Sequence, residues 1–326
     1  MEKPHVLTAR TPTDLLAAVP CVLGFHPEDS LVMLTFSADG RTFHARVDLT
    51  DEPEHLPELC AVLLQAALRN RVERVVLVAY TTAAMLAGTV LDAVHDAFDA
   101  EDIDVVEMLR ADGTRWFPMR AGLPDQLYLG VPYDTSSHQF SAEAVLAGRI
   151  THGSRQELAA TLRADPEAVA AVQKALRGRA GRIPSAQVPA EAHWLFTTVF
   201  AHAADGTTPS VDELARLIVA CRDNELRDVA WSLITRESAS RQVDFWRLVL
   251  RCCPVAWAAP PAGLLAFACW LSGQGALAWC AVDRCRESDP GYSMADRIAQ
   301  VLGAAVPPDA WQGPDTSFLP SLGLDA

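Results

Sequence analysis

Three stretches of this sequence carry side chains suited to chemistry. They are Pro27-Glu28-Asp29-Ser30, the pair Arg46 and Asp48, and Thr81-Thr82 together with the more distant Arg110. Clustered carboxylates with water can hold Mg²⁺, which takes oxygen ligands. Asp29 and Asp48 are also candidates for acid/base work. Arg46, Arg110, Thr81 and Thr82 supply donors for a bound ligand. Structural readings stand beside these. Arg46 and Asp48 lie on one face of a strand and can simply pair, and Asp29-Ser30 can simply close a turn. No catalytic residue is assigned.

The elements that would position these residues are legible. Thr11-Pro12-Thr13-Asp14 followed by LLAAV predicts a capped helix over 11–20. Ser30 to Phe36 reads as a strand, Ala38-Asp39-Gly40 as a hairpin turn, and Thr42 to Leu49 as an alternating strand. Pro53 opens a helical pattern over roughly 54–70. Val75 to Tyr80 is a continuous apolar run, the mark of a strand covered on both faces. A helix over 82–100, a strand from Ile103 to Leu109, and Asp112-Gly113 leading into Arg115-Trp116-Phe117 complete the order β-β-α-β-α-β-β. The prediction is a mixed-sheet, three-layer α/β domain. In an antiparallel hairpin the start of the first strand lies beside the end of the second. Ser30 should therefore neighbour Asp48, and the Tyr80-Thr81-Thr82 turn and Arg110 should share that edge. Open α/β sheets bind ligands at the carboxyl ends of their parallel strands.

Beyond about residue 135 the pattern turns helical. Segments 141–148 and 154–162 and a helix opened by Asp165-Pro166 precede a Gly- and Pro-rich stretch, 178–190. Ser210 to Glu213 is a capping box. Helices follow near 225–235, 240–252, 261–272, 275–287 and 293–303. The expected division is an α/β domain with trailing helices over 1–177, a linker at 178–190, a helical domain over 191–305, and a loose tail over 306–326 on which Trp311 or Phe318 docks. Residues 264–290 read as helix, Gly turn, helix and Asp-Pro. Trp270, Gly273, Ala276, Ala281 and Pro290 sit where a tetratricopeptide hairpin places aromatic, small and terminating residues. One such unit falls short of the three an array needs, and an ordinary helical bundle fits as well.

The composition bounds the function. Half of the 326 residues are hydrophobic, too apolar for an intrinsically disordered chain, and the net charge is −14. Residues 1–150 hold 11 Lys/Arg against 22 Asp/Glu, a net of −11. No nucleic-acid partner is expected, because that affinity comes from basic side chains. The eight cysteines form no C-x-x-C motif and read as small buried hydrophobes. The N-terminus has no apolar signal-type run, so the expected location is cytoplasmic. Residues 252–282 carry no charge, yet Pro260-Pro261 and Ser272-Gly273-Gln274-Gly275 interrupt them, and a spanning helix needs ~20 apolar residues. Two buried helices joined by a turn are expected, and no membrane contact. P-loop, G-x-G-x-x-G, nucleophile-elbow and H-E-x-x-H patterns are all absent.

The run Val19 to Leu34 (VPCVLGFHPEDSLVML) and the strand Ala45 to Leu49 (ARVDL) resemble the actinobacterial domain-of-unknown-function family 4192. The matching positions are Pro20, Leu23, Gly24, Phe25, Pro27, Ser30, Leu31, Val32, Arg46 and Asp48. Gly130-Val131-Pro132-Tyr133, Ala142-Glu143-Ala144, Ser154 to Leu158 and the hairpin around Trp270 and Gly273 also resemble family segments. The family's Cys-rich segment after the Trp strand has no counterpart between Trp116 and Tyr128, so the resemblance carries no metal or redox role there. It implies a fold and a lineage, because the family has no established activity. Two readings of function stand. One is a non-enzymatic binding or adaptor protein, with a ligand- or partner-sensing α/β domain and a protein partner on the helical half. The other is a metal-dependent hydrolase-like enzyme with an acidic site at the carboxyl edge of the sheet.

Overall fold

The computed structural model describes residues 9–36, 43–146, 148, 150–179, 181, 183–313 and 316–324. The chain divides into two compact units. One comprises Met1–Glu157 with Gly303–Pro307, the other Leu158–Leu302 with Pro308–Ala326. The Gly- and Pro-rich stretch 178–190 lies inside the second unit.

The first unit opens with α1 (Pro12–Leu23). The Thr11 hydroxyl accepts the Asp14 amide, and the Asp14 carboxylate accepts the amides of Thr11 and Arg10. This satisfies orphan donors at the helix start. The helix runs past the predicted end, through Pro20, and stops at Gly24, whose φ of 80° suits a residue without a Cβ.

Six strands then form a mixed sheet. They are β1 (Ser30–Phe36), β2 (His44–Asp48), β3 (Arg74–Tyr80), β4 (Asp104–Ala111), β5 (Arg115–Pro118) and β6 (Val131–Pro132), in the order β2-β1-β3-β4-β5-β6. β1 pairs antiparallel with both β2 and β3, β3 pairs parallel with β4, and β5 and β6 continue antiparallel. The sequence pattern identifies five of these strands. The sixth has two residues, one of them proline, which is too short for an alternating pattern to show. The predicted hairpin residues Ala38-Asp39-Gly40 lie outside the described residues.

Both faces of the sheet are covered. Leu31 and Met33 of β1 and Val75, Leu77 and Ala79 of β3 form a core with α2 (Leu56–Arg69) and α3 (Ala84–Asp99). Val32, Leu34, Val76, Val78 and Tyr80 face the other way, with Leu16 and Val19 of α1. The alternation breaks on β4. Its register against β3 shifts so that Val106 is passed over, and Val105 and Met108 then face one core while Leu109 faces the other. A one-residue bulge does this. After β5 comes the short helix α4 (Asp125–Tyr128). Next is α5 (Gln139–Leu146), whose Phe140 and Ala144 pack against Ala17 and Cys21 of α1. The helix α6 (Arg155–Ala160) spans the division between the units.

The second unit is helical: α7 (Pro166–Leu176), α8 (Val188–Asp205), α9 (Val211–Ala220), α10 (Asn224–Ser232), α11 (Ala239–Cys252), α12 (Ala259–Leu271), α13 (Gly275–Ser288) and α14 (Ser293–Gly303). Ser210 and Glu213 form the expected capping box on α9. The charge-free segment becomes α12 and α13, joined through Gly273 at φ 79°. Every residue of α12 is buried, and among the described residues no helix is long and apolar enough to cross a membrane. Along the C-terminal segment expected to be loose, Leu319, Leu322 and Leu324 are buried, and the Trp311 ring packs against Trp231, Phe267 and Trp270. Apolar side chains spaced along an irregular chain give no periodicity, so this packing leaves no trace in the sequence pattern.

Gly130 offers a test of the packing behind β5. It has φ 83°, and a Cβ there would stand 2.5 Å from the Phe117 ring. Gly122 shares that φ but has open space around it. Urea unfolding should show Gly130→Ala destabilised by roughly 2 kcal/mol or more, and Gly122→Ala by about 1 kcal/mol, the cost of the backbone conformation alone.

Candidate functional site

Strand pairing assembles the expected edge. Ser30 stands opposite Asp48 on one side and Tyr80 on the other, and Tyr80 stands opposite Ala111. Glu28, Asp29, Ser30, Asp48, Thr81, Thr82 and Arg110 therefore gather at one end of the sheet. Within that end they separate into two groups.

The first group is Arg46, Asp48 and Glu28. One Arg46 guanidinium nitrogen lies 2.6 Å from the Asp48 carboxylate and 3.5 Å from the Glu28 carbonyl. Asp48 itself is 81% exposed. The Arg46 Nε is buried without a hydrogen-bond partner. The second group is Asp29, Thr81 and Arg110. Asp29 has φ 40°, a left-handed conformation that Asp tolerates better than most residues. Its carbonyl accepts the Leu49 amide at 2.9 Å, and its carboxylate accepts the Thr81 hydroxyl at 3.2 Å. The Thr81 hydroxyl oxygen in turn accepts the Ala83 amide at 3.2 Å. The Ser30 hydroxyl donates to the Glu28 carbonyl, closing the turn that launches β1. Pro27 is buried beneath this turn, and Thr82 is exposed.

Arg110 is buried, at 7% exposure. It donates from Nη1 to the Thr81 carbonyl at 3.2 Å, and its guanidinium carbon stands 3.8 Å above the centre of the Phe117 ring. The sequence pattern does not single out Phe117, nor Gly130, which gives that ring its space. The Tyr80 hydroxyl and the Trp116 indole nitrogen are also missed. Both are buried without a partner on the α1 side of the sheet, with Ala111 between them in the strand order. Burial raises the Tyr80 pKa well above its ordinary value, and nearby Tyr133 adds to the shift.

Of the edge carboxylates, Asp48 is thus paired with Arg46 and Asp29 with the Thr81 hydroxyl. Among the described residues, the His/Cys/Asp/Glu side chains that come close enough to hold an ion as a set of three are Glu52, Glu54 and His55, all exposed. The sheet-edge carboxylates do not form such a set. His55 and Glu52 already pair at 2.9 Å. A shallow groove of about 220 Å³ lies beside them, lined by Val47, Asp48, His55 and Leu59 among others. No disulfide joins the described cysteines, and burial pushes the Cys221 thiol up to about 12 and raises Cys253 and Cys269 as well. Such thiols are protonated and inert at neutral pH.

Fold and edge together define a class, a mixed α/β unit with polar groups at the carboxyl ends of its parallel strands, accompanied by a helical unit. The chain belongs to the family described as a domain of unknown function (DUF4192), whose model matches residues 12–309. Comparisons with curated proteins and with solved structures yield no match.

His44, two residues before Arg46, provides a pH test. Its Nδ1 is buried without a partner, and burial pushes the imidazole down to about 4. A folded-state value below the unfolded ~6.5 means the fold stabilises the neutral ring. That contribution is complete above pH 6.5 and is lost as pH falls towards 4. Urea melts across this window should show the wild type losing on the order of 3 kcal/mol more than His44→Leu. Parallel pH profiles for the two proteins would contradict this.

Proposed function

We propose that this chain is a non-enzymatic, cytoplasmic binding protein. Its α/β unit senses a small ligand at the carboxyl edge of the sheet, and its helical unit offers a surface to a protein partner. The observation that carries this reading is the commitment of the edge carboxylates. Asp48 is paired with Arg46, and Asp29 holds the Thr81 hydroxyl. Groups tied up in this way position backbone and donors. They are poorly placed to share an ion or relay a proton, which a metal-dependent hydrolase acting through Asp29 and Asp48 requires.

The finer reading of α12 and α13 as a tetratricopeptide-like hairpin draws on the Gly273 turn and on the buried small residues Ala266, Ala278 and Ala281. Small side chains let two helices approach closely. Complete burial of α12 directs a partner to the outward faces of the unit, where Phe200 of α8 is 61% exposed.

Native mass spectrometry of the full chain, purified untagged from its own source, tests the proposal. A retained protein or organic molecule that persists in Asp29→Ala and Asp48→Ala is the expected result. A retained divalent metal ion, lost in both variants, would favour the hydrolase. A chain that retains nothing and captures nothing would sink the binding reading.

A further inference from the structure

β2 is an end strand of the six-stranded sheet, with β1 as its neighbour in the order. Antiparallel pairing with β1 uses half of its backbone groups. The Leu49 amide donates to the Asp29 carbonyl at 2.9 Å, so Leu49 turns its backbone towards β1. Alternate residues turn the same way, which places Ala45 and Val47 with it. The amides and carbonyls of His44, Arg46 and Asp48 therefore point away from the sheet. Among the described residues, none bonds to them. Such an open row is a template for another strand. The opposite edge of the sheet is blunted, because β6 has two residues and Pro132 has no amide to donate. β2 contains no proline, and its register against β1 runs without a bulge.

The groove of about 220 Å³ lies between this strand and α2. Val47, Asp48 and Thr50 line one side, and Glu58, Leu59 and Val62 the other. Val47 packs against the core beneath α2, Leu59 is buried, and Val62 is 43% exposed. Apolar surface thus lies beside the open backbone row, on the α2 face of the sheet. A strand sends every second side chain to one face. A strand added to β2 therefore finds backbone partners along its side and apolar contact on one face, the two components of β-strand addition. The groove becomes acidic where β2 ends and α2 begins. Asp48, Asp51, Glu52, Glu54 and Glu58 are all exposed there. Arg46 answers Asp48, and His55 pairs with Glu52. Asp51, Glu54 and Glu58 have no cationic partner among the described residues.

We infer that β2 is a docking strand for an extended basic segment of a partner protein. The segment pairs with the backbone of His44, Arg46 and Asp48. An aliphatic side chain enters the groove over Leu59 and Val62, and a Lys or Arg two positions away on the same face meets the unpaired carboxylates. Charge complementarity selects this occupant, since the first 150 residues carry a net charge of −11 and attract a basic partner. A second copy of the chain fits less well. Antiparallel self-pairing about a two-fold axis at the middle of the open row sets Arg46 against Arg46 and brings two acidic rims together, and like charges directly opposite are destabilising. This surface goes beyond the ligand edge and the helical face proposed above and depends on neither.

The test titrates the full chain against the peptide acetyl-Thr-Lys-Thr-Val-Thr-Lys-Thr-amide at constant ionic strength. Anisotropy of a fluorescein-labelled form reads binding, and amide hydrogen exchange reads its place. The comparison peptides carry Glu in place of Lys, or N-methyl groups on alternate residues in either of the two sets. Saturable binding is expected, with slowed exchange at His44, Arg46 and Asp48 and none at Ala45 and Val47, whose amides the sheet already holds. The Glu peptide should bind about tenfold more weakly or worse. One N-methylated set should lose binding, because one row of peptide amides faces β2. Arg46→Pro removes an amide that the sheet does not use and should weaken binding several-fold. Arg46→Gln keeps that amide and should bind the more tightly of the two. Glu58→Lys should also weaken binding several-fold, whereas Glu101→Lys, the same charge change in the exposed turn after α3, should not. If Arg46→Pro does not fold, Glu58→Lys and the N-methylated peptides decide. No saturable binding up to about 1 mM peptide, equal affinity for the Glu peptide, binding that survives both N-methylated sets, or protection that omits His44, Arg46 and Asp48 would each overturn the assignment. So would dimerisation of the chain alone, seen by sedimentation and abolished by Arg46→Pro, since the edge would then belong to a second copy.

Discussion

Everything at the carboxyl edge depends on β1 being threaded between β2 and β3. β1 pairs antiparallel on both sides, so its first residue lies at the ends where β2 and β3 finish. The loop before β1 is thereby delivered to the place where β3 hands over to α3. The register cannot slip. Leu31 and Met33 fill one core while Val32 and Leu34 fill the other, and a shift of one residue would exchange the two sets. Each such side chain contributes roughly 1.5–3 kcal/mol through burial, so a slipped pairing loses far more than any polar contact at the edge could restore.

The polar groups on this frame differ in how much they matter to it. The Arg46–Asp48 pair is bound to one well-exposed partner, and pairs of that kind contribute about 0–1 kcal/mol. It can be altered with little effect on the fold. The Asp29–Thr81–Ala83 chain is different, because it ties the turn before β1 to the start of α3 through one hydroxyl that both donates and accepts. Arg110 closes the same loop from a third strand, through the Thr81 carbonyl. Three distant segments are thus joined at Thr81, and the loop before α3 is held by them.

Legibility of these features in the sequence follows from how local their causes are. The capped start of α1, the capping box at Ser210 and the strands β1 and β3 announce themselves through residues within a few positions of one another. The meeting of Ser30, Asp48, Tyr80 and Arg110 could be reasoned out from hairpin direction and crossover rules. What could not be read was which edge residues are already satisfied, because hydrogen-bond commitment depends on rotamers and loop paths. The stack of Arg110 on Phe117 needs the β4–β5 register, and the space for Phe117 needs Gly130, more than ten residues further on. The bulge at Val106 was equally silent, since it makes an apolar run face both ways without changing its composition.

The helical unit shows the opposite relation between pattern and consequence. Its charge-free segment is conspicuous in the sequence, and its cause is geometric. α12 packs against α10, α11 and α13, and the aromatic cluster of Trp231, Phe267, Trp270 and Trp311 brings the C-terminal segment onto the same core. A helix enclosed on every side has no polar face, so it loses the amphipathic period that marks a surface helix. An array of helical hairpins keeps one face of each inner helix open to form its groove, and α12 has no such face left. On the proposed reading, a partner of this unit would meet it on the outer helices. The apolar residue most exposed there, Phe200, stands on α8 and not on the hairpin that first suggested a repeat.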